Sequence, residues 1–219
     1  MKTALLATTA AIGVAVASTP AQAEFELSFF TGTQSAPHSD VSGNDPTGLG
    51  AFDFNSGWDG ESFKPAPYYG FRAMWWQNEN LGYGTTFTHS KIVADSADQA
   101  ANGFNRLEFT DGLNFLTANV FYRWPEAQRR WTPYVGAGLG VALPHVDIDT
   151  GTSRTFEYQY AGPTVQVNAG ISYALNDRWS IFGEYQGNYT SIDVDLNGGG
   201  SLKTDVITNA LNAGVSLRF

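Results

Sequence analysis

Leu211-Asn212-Ala213-Gly214-Val215-Ser216-Leu217-Arg218-Phe219 closes the sequence with an apolar side chain at every odd position and a small or polar one at every even position. A period of two marks a strand whose two faces meet different surroundings. The stretch is close to the roughly 9 to 11 residues that cross a bilayer as a tilted strand, so it reads as one stave of a wall between lipid and a polar lumen.

The start of the chain agrees with export. Met1-Lys2 is positively charged, residues 4–16 are mostly apolar, and Ala21-Gln22-Ala23 sets small residues where a signal peptidase needs them. Cleavage is predicted before Glu24, which divides the chain into a signal peptide over 1–23 and a single domain over 24–219. The apolar stretch is too short and alanine-rich for a spanning helix of roughly 20 residues, and no later segment approaches that length. Charged residues are 15% of the chain, against about 25% in soluble domains. Mean hydropathy is nonetheless −0.21, as expected when half of every strand faces water or a packed lumen. The absence of cysteine excludes disulfides, thiol nucleophiles and thiolate metal sites.

Alternating segments bounded by turn residues recur eight times, at about 25–33, 67–77, 81–90, 113–124, 132–143, 160–174, 178–190 and 206–219. In the fifth, Val135, Ala137, Leu139, Val141 and Leu143 alternate with Gly136, Gly138 and Gly140. The connections alternate too: 77–80, 125–130 and 175–177 are short, whereas 34–66, 91–112, 144–159 and 191–205 are long. This predicts an all-β fold, an eight-stranded antiparallel transmembrane β-barrel with four long outer loops, short periplasmic turns and both termini in the periplasm. Gly198-Gly199-Gly200 reads as a loop tip. The closing strand resembles the C-terminal strand of bacterial outer-membrane barrels, whose end aromatic and alternating apolar positions the assembly machinery reads. That resemblance implies the outer membrane of a Gram-negative bacterium as location and the machinery as a partner.

Charge follows the same division. The four long segments hold fifteen acidic residues, Asp40 and Asp45 among them, against Lys64, Lys91, Arg106, Arg154 and Lys203; acids and arginines balance in the rest of the expected mature chain. An acidic rim beside anionic lipopolysaccharide calls for bridging divalent cations, or else stays solvated. Glu26, Arg72, Arg123, Glu184, Gln186 and Arg218 fall on the lumen side of their strands. In a barrel just wide enough for side chains to fill, they are expected to form an ion-pair plug rather than line a channel. Trp75, Trp76, Trp124, Trp131 and Trp179 fall near the periplasmic strand ends, where an aromatic girdle belongs.

The three histidines, His38, His89 and His145, all fall at the outer side, with Glu108, Asp111, Asp147 and Glu157 at the same level. Strand parity turns His89 and His145 toward lipid if alternation persists to the strand ends. Histidine with carboxylates holds a transition metal or supplies an acid and a base. No short ligand spacing such as His-Glu-x-x-His is present, so scattered rim histidines in hydrogen bonds remain the plain alternative.

The runs Ala36-Pro37-His38-Ser39, Pro67-Tyr68-Tyr69-Gly70, Phe87-Thr88-His89-Ser90-Lys91, Arg106-Leu107-Glu108-Phe109-Thr110-Asp111-Gly112-Leu113-Asn114, Pro144-His145 and Gly198-Gly199-Gly200-Ser201-Leu202 resemble the small outer-membrane barrels of alphaproteobacteria described as lipid A oxidases. The likeness covers most of the predicted mature chain. It implies oxygen-dependent oxidation of the proximal glucosamine of 1-dephosphorylated lipid A to a 2-aminogluconate unit, with hydrogen peroxide released and a divalent metal required, but no organic cofactor. The implied partner is lipid A of the outer leaflet, met by a monomer with no nucleic acid involved. On that reading His38, His89, His145, Glu108 and Asp111 are the candidate catalytic residues and metal ligands. The other reading is a non-catalytic small barrel with a structural or surface-interaction role.

Overall fold

The computed structural model describes residues 24–219, so the predicted signal peptide lies outside the described residues. In chain order the first elements are β1 (Glu24–Asp45), β2 (Gly50–Asp59), β3 (Tyr69–Trp76), β4 (Leu81–His89), β5 (Ile92–Ala94), α1 (Ser96–Ala101) and β6 (Arg106–Phe109). They are followed by β7 (Phe115–Arg123), β8 (Trp131–Ala142), β9 (His145–Asp149), β10 (Arg154–Tyr158), β11 (Gly162–Ala174), β12 (Trp179–Leu196) and β13 (Gly200–Arg218).

Eight of these strands close a ring in the order β1–β3–β4–β7–β8–β11–β12–β13, because β1 pairs with β13 on one side and with β3 on the other. The alternation read in the sequence sets the faces. On β7 Leu116, Val120 and Tyr122 point outward, while Thr117, Asn119, Phe121 and Arg123 are buried inside. On β11 Val165, Val167 and Ile171 are outside and Thr164, Gln166 and Asn168 inside. Glycines on the inner face of β8 make room for large neighbours: a Cβ at Gly136 would stand 2.7 Å from the ring of Phe121.

The long connections are not loops. They carry β2, then β5, α1 and β6, then the β9–β10 hairpin, while β12 and β13 extend until a turn with Gly198 and Gly199 at positive φ joins them. Three strands, β1, β12 and β13, therefore run through two storeys. The other five ring strands stop, and β2, β5, β6, β9 and β10 continue the wall above them in the order β1–β2–β5–β6–β9–β10.

The upper wall lacks a backbone ladder between β10 and β12, and side chains close that seam. Gln159 Nε2 donates to Asp195 O at 2.9 Å and its Oε1 accepts from Asp195 N at 2.9 Å; Asn197 Nδ2 donates to Arg154 O at 2.7 Å. Sequence periodicity missed β5, β6, β9 and β10 because three to five residues are too few for alternation to stand out from a loop, and it missed the ten-residue β2 because Asn55-Ser56-Gly57 interrupts its alternation.

The storeys differ in filling. The lower lumen combines a buried cluster that includes Phe30, Met74, Trp76, Phe121 and Phe182 with a polar network centred on Arg72, whose guanidinium grips Glu184 through two hydrogen bonds of 2.8 and 2.7 Å. Asn168 adds a third donor to Glu184 at 2.9 Å, and the guanidinium lies 4.5 Å from the centre of the Phe121 ring. Nearer the turn end, Arg123 and Arg218 meet Glu24 and Glu26. The expected ion-pair plug is thus present. The upper storey is filled instead by an apolar core that includes Val41, Trp58, Ile92, Leu107, Phe109, Val146, Ile148, Val194 and Leu202.

Tryptophans 75, 124, 131 and 179 form an exposed band at the turn end, as expected. Trp76 does not join them: it faces inward, its ring 3.8 Å from the Arg123 guanidinium carbon. Adjacent strand residues point to opposite faces, so Trp75 and Trp76 cannot both be outside.

Candidate functional site

The break between the storeys is where the rim residues gather. β4 ends at His89, whose parity with Tyr83 and Phe87 places it on the outer face. Its ring stacks on that of its cross-strand partner Tyr69, with centroids 5.0 Å apart and planes 8° from parallel. His145 opens β9 with the same parity as the exposed Leu139 and Leu143 of the wall below. Phe156 and Tyr158, both on the outer face of β10, meet the His145 ring edge-on at 4.4 and 4.8 Å. Both histidines lie outside the wall, as parity predicts.

The turn between β6 and β7 joins these two groups. Asp111 Oδ2 lies 3.8 Å from His145 Nδ1, and Gly112 O accepts the His145 backbone N–H at 3.1 Å. Gly112 adopts φ +87°, and a Cβ there would stand 2.8 Å from His89 Cδ2. The turn packs so closely on the imidazole that only glycine fits, on grounds of both conformation and space. Asn114 ties the turn together by donating from Nδ2 to Asp111 O at 2.8 Å and to Gly112 O at 3.2 Å.

Both imidazoles are more than nine-tenths buried, and in both Nδ1 is buried without a hydrogen-bond partner. Such a nitrogen normally has a partner, and contacts within the described residues do not supply one here. Asp111 is the exposed member of the set, with just over half of its side chain open to solvent. Tyr158 belongs to the same neighbourhood: burial first, then the charge of Asp111, raises its hydroxyl above the ordinary tyrosine value.

The remaining candidates lie elsewhere. His38 is exposed on β1, with Nδ1 3.3 Å from Asn55 Oδ1, and Asn55 in turn donates to Asp40 at 2.8 Å. Glu108 sits on the outer face of β6 opposite Asp147, 2.9 Å from Arg106 Nη1. Burial lifts the Glu108 carboxyl above its ordinary value despite the Arg106 charge. Asp147 goes the other way. Burial favours its neutral form, but hydrogen bonds from Arg154 and Arg106 outweigh this and hold the carboxyl below its ordinary value.

The five sequence candidates therefore separate into a cluster of His89, His145 and Asp111 and two outlying positions, His38 and Glu108. Among the described residues, no three His, Cys, Asp or Glu side chains are grouped so as to hold a metal ion. Sequence reasoning missed Tyr69, Phe156, Tyr158, Gly112 and Asn114. The Asp-Gly-x-Asn turn over residues 111–114 was a legible signal for tight backbone; the aromatic contacts to His145 needed the β9–β10 hairpin, which the sequence hid.

A closed eight-stranded antiparallel ring with an apolar outer face, a filled lumen and a tryptophan band at one end defines a small outer-membrane β-barrel. The comparisons agree. The family model described as outer membrane protein beta-barrel domain matches residues 7–219, and the chain belongs to that family. Among solved structures, Neisserial surface protein A is similar at 19% identity and TM-score 0.50, covering 89% of this chain and 97% of that one. The outer membrane protein AlkL, solved in lipid bilayers, is similar at 17% identity and TM-score 0.55, covering 96% of this chain and 97% of that one. At these identities the likeness is one of fold. No curated protein matches the sequence.

Proposed function

We propose that this barrel is a lipid A oxidase, working on the proximal glucosamine of 1-dephosphorylated lipid A with His89, His145 and Asp111 at its centre. The observation that carries the reading is the pair of buried imidazoles with unpartnered Nδ1 atoms on the outer face of the wall, where the five shorter ring strands end. The resemblance of the loop-proximal sequence runs to lipid A oxidases supplies the substrate. In this reading the turn end and both termini face the periplasm, and the upper storey stands outside the cell.

The chemistry balances with dioxygen as oxidant. The free anomeric carbon is a hemiacetal; it loses its hydrogen and the hydroxyl proton, two electrons pass to dioxygen, and a lactone and hydrogen peroxide result. Water then opens the lactone to the 2-aminogluconate. An imidazole with an unpartnered nitrogen accepts the anomeric hydroxyl proton once substrate displaces the cover over it, and Asp111 beside His145 stabilises the imidazolium that forms. The aromatic rings around both histidines hold them in place and exclude water from their faces.

Two imidazole nitrogens and a carboxylate are the donor chemistry of oxygen-using divalent metal sites. His89, His145 and Asp111 offer these donor types but are not grouped so as to hold an ion, so a metal requirement stays an implication of the family resemblance and no step is routed through one. His38 and Glu108 stand apart from this set.

Mass spectra of lipid A from cells with and without the protein, in a background lacking the 1-phosphate, test the reading. A gain of one oxygen on the proximal sugar is expected only with the wild type under aeration. His89→Ala and His145→Ala should abolish it while His38→Ala keeps it, all three retaining heat-modifiable migration. Unchanged lipid A with the wild-type protein would favour a non-catalytic barrel.

A further inference from the structure

The outer face of β10 carries three aromatic side chains in succession, Phe156, Tyr158 and, just past the strand, Tyr160, exposed by 57%, 63% and 62%. We infer that this row is a sugar-binding ledge on which a ring of the outer-leaflet glycolipid's saccharide stacks, beside the histidine site rather than within it.

The ledge continues an existing interface. Directly below it on the next strand, Val165 and Val167 belong to the apolar outer face of the barrel wall, so the row stands at the edge of that apolar face. It is also rigid. Tyr158 and Phe156 pair with His145 and Asp147 across the β9–β10 ladder, both rings pack against the imidazole of His145, and the Arg154 guanidinium sits 4.8 Å from the Phe156 centroid.

The side chains around the rings decide what lies on them. Arg154 and Arg106, each about half exposed, are fixed by Asp147 at 2.9 and 3.1 Å on the same outer face, and Gln159 lies at the β10 end of the seam. An acyl chain has no use for this fringe of donors. A pyranose has both an apolar ring face for an aromatic side chain and hydroxyls or phosphates for the guanidinium groups. An exposed aromatic row edged by fixed polar groups, at the edge of the apolar wall, therefore fits the saccharide of lipopolysaccharide better than the tails or a phospholipid.

The choice of glycolipid rests on the reading of the neighbouring site, but the test does not depend on turnover. Purified barrel in detergent micelles is titrated with rough lipopolysaccharide, and with phosphatidylglycerol as a lipid without sugar rings, binding being followed by native mass spectrometry. Phe156→Ala/Tyr158→Ala should weaken lipopolysaccharide binding about tenfold or more, the loss expected from two stacked rings. Phe63→Ala, which removes a still more exposed ring from another connection, should change it by less than about twofold on the same scale. His89→Asn, at an imidazole that stacks on Tyr69 and not on the ledge, should lose oxidation and still bind. Equal binding by wild type and the double variant, or equal affinity of the wild type for phosphatidylglycerol, would overturn the ledge. If the ledge variants lose binding while the wild type never oxidises lipid A, the ledge stands and the proposed activity falls.

Discussion

Gly112 shows how narrowly the site is built. Its φ of +87° and its approach to His89 leave no space for a side chain. Gly112→Ala is expected to combine backbone strain of about 1 to 3 kcal/mol with displacement of the imidazole. The measurable result is a lowered unfolding temperature with an intact barrel and, on the proposed function, loss of lipid A oxidation. In the lumen, Glu184 is fully buried against Arg72, and removing one partner leaves the other charge without compensation. Glu184→Ala should lower stability by about 3 to 5 kcal/mol, whereas Arg72→Met/Glu184→Leu should recover most of it. Urea unfolding in micelles separates these outcomes, and an unaltered midpoint for Glu184→Ala would remove the pair from the account of stability.

Among the elements, the β9–β10 hairpin is tied to its neighbours by charge. Asp147 holds Arg106 and Arg154 across three strands, and its carboxyl is held below the ordinary value in the folded protein. Its contribution is therefore present above the unfolded carboxylate value of about 3.9 and is lost as the pH falls through the lower folded value. Glu108 has the opposite sign: its folded value is raised, so its contribution is complete below the unfolded value and declines as the pH rises through the folded one. Amide NMR signals of Val146 and Thr155 should lose dispersion on acidification in the wild type. In Asp147→Asn they should already be weakened at neutral pH and show less dependence on acid. Retained acid sensitivity in that variant would place the switch elsewhere.

Taken as a whole, the molecule is a closed vessel. The Arg72–Glu184 pair blocks the lower lumen, the cavity beneath it is about 30 Å³, enough for a water or two, and an apolar core fills the upper storey. Planar bilayers containing the protein should show no steady ion conductance, and a stable open channel would contradict the packing. The outer wall responds in the opposite sense to polarity. Leu211 is 64% exposed on the outward face of β13, and Leu211→Arg should cost about 2 to 4 kcal/mol if it sits near the bilayer midplane. Reduced yield of heat-modifiable barrel in lipid vesicles is the expected readout.

The ring strands and their facing were legible from the sequence because a period of two is a local consequence of the pleat, repeated over enough residues to be seen. Val165, Gln166, Val167 and Asn168 state their sides without any knowledge of a neighbour. The lumen charges were legible for the same reason, and parity also placed His89 and His145 outside. Which arginine meets which glutamate was not. Arg72 and Glu184 are 112 positions apart, and only closure of the ring brings them together. The upper storey was hidden because its short strands are stabilised by a shared apolar core and by seam contacts such as Gln159 with Asp195, not by pattern within each segment. The candidate site depends on both levels. Sequence alone determined that histidines and carboxylates lie at one rim; tertiary structure decided that His89, His145 and Asp111 meet while His38 and Glu108 stand apart, because the β6–β7 turn and the β9–β10 hairpin converge only where five ring strands end.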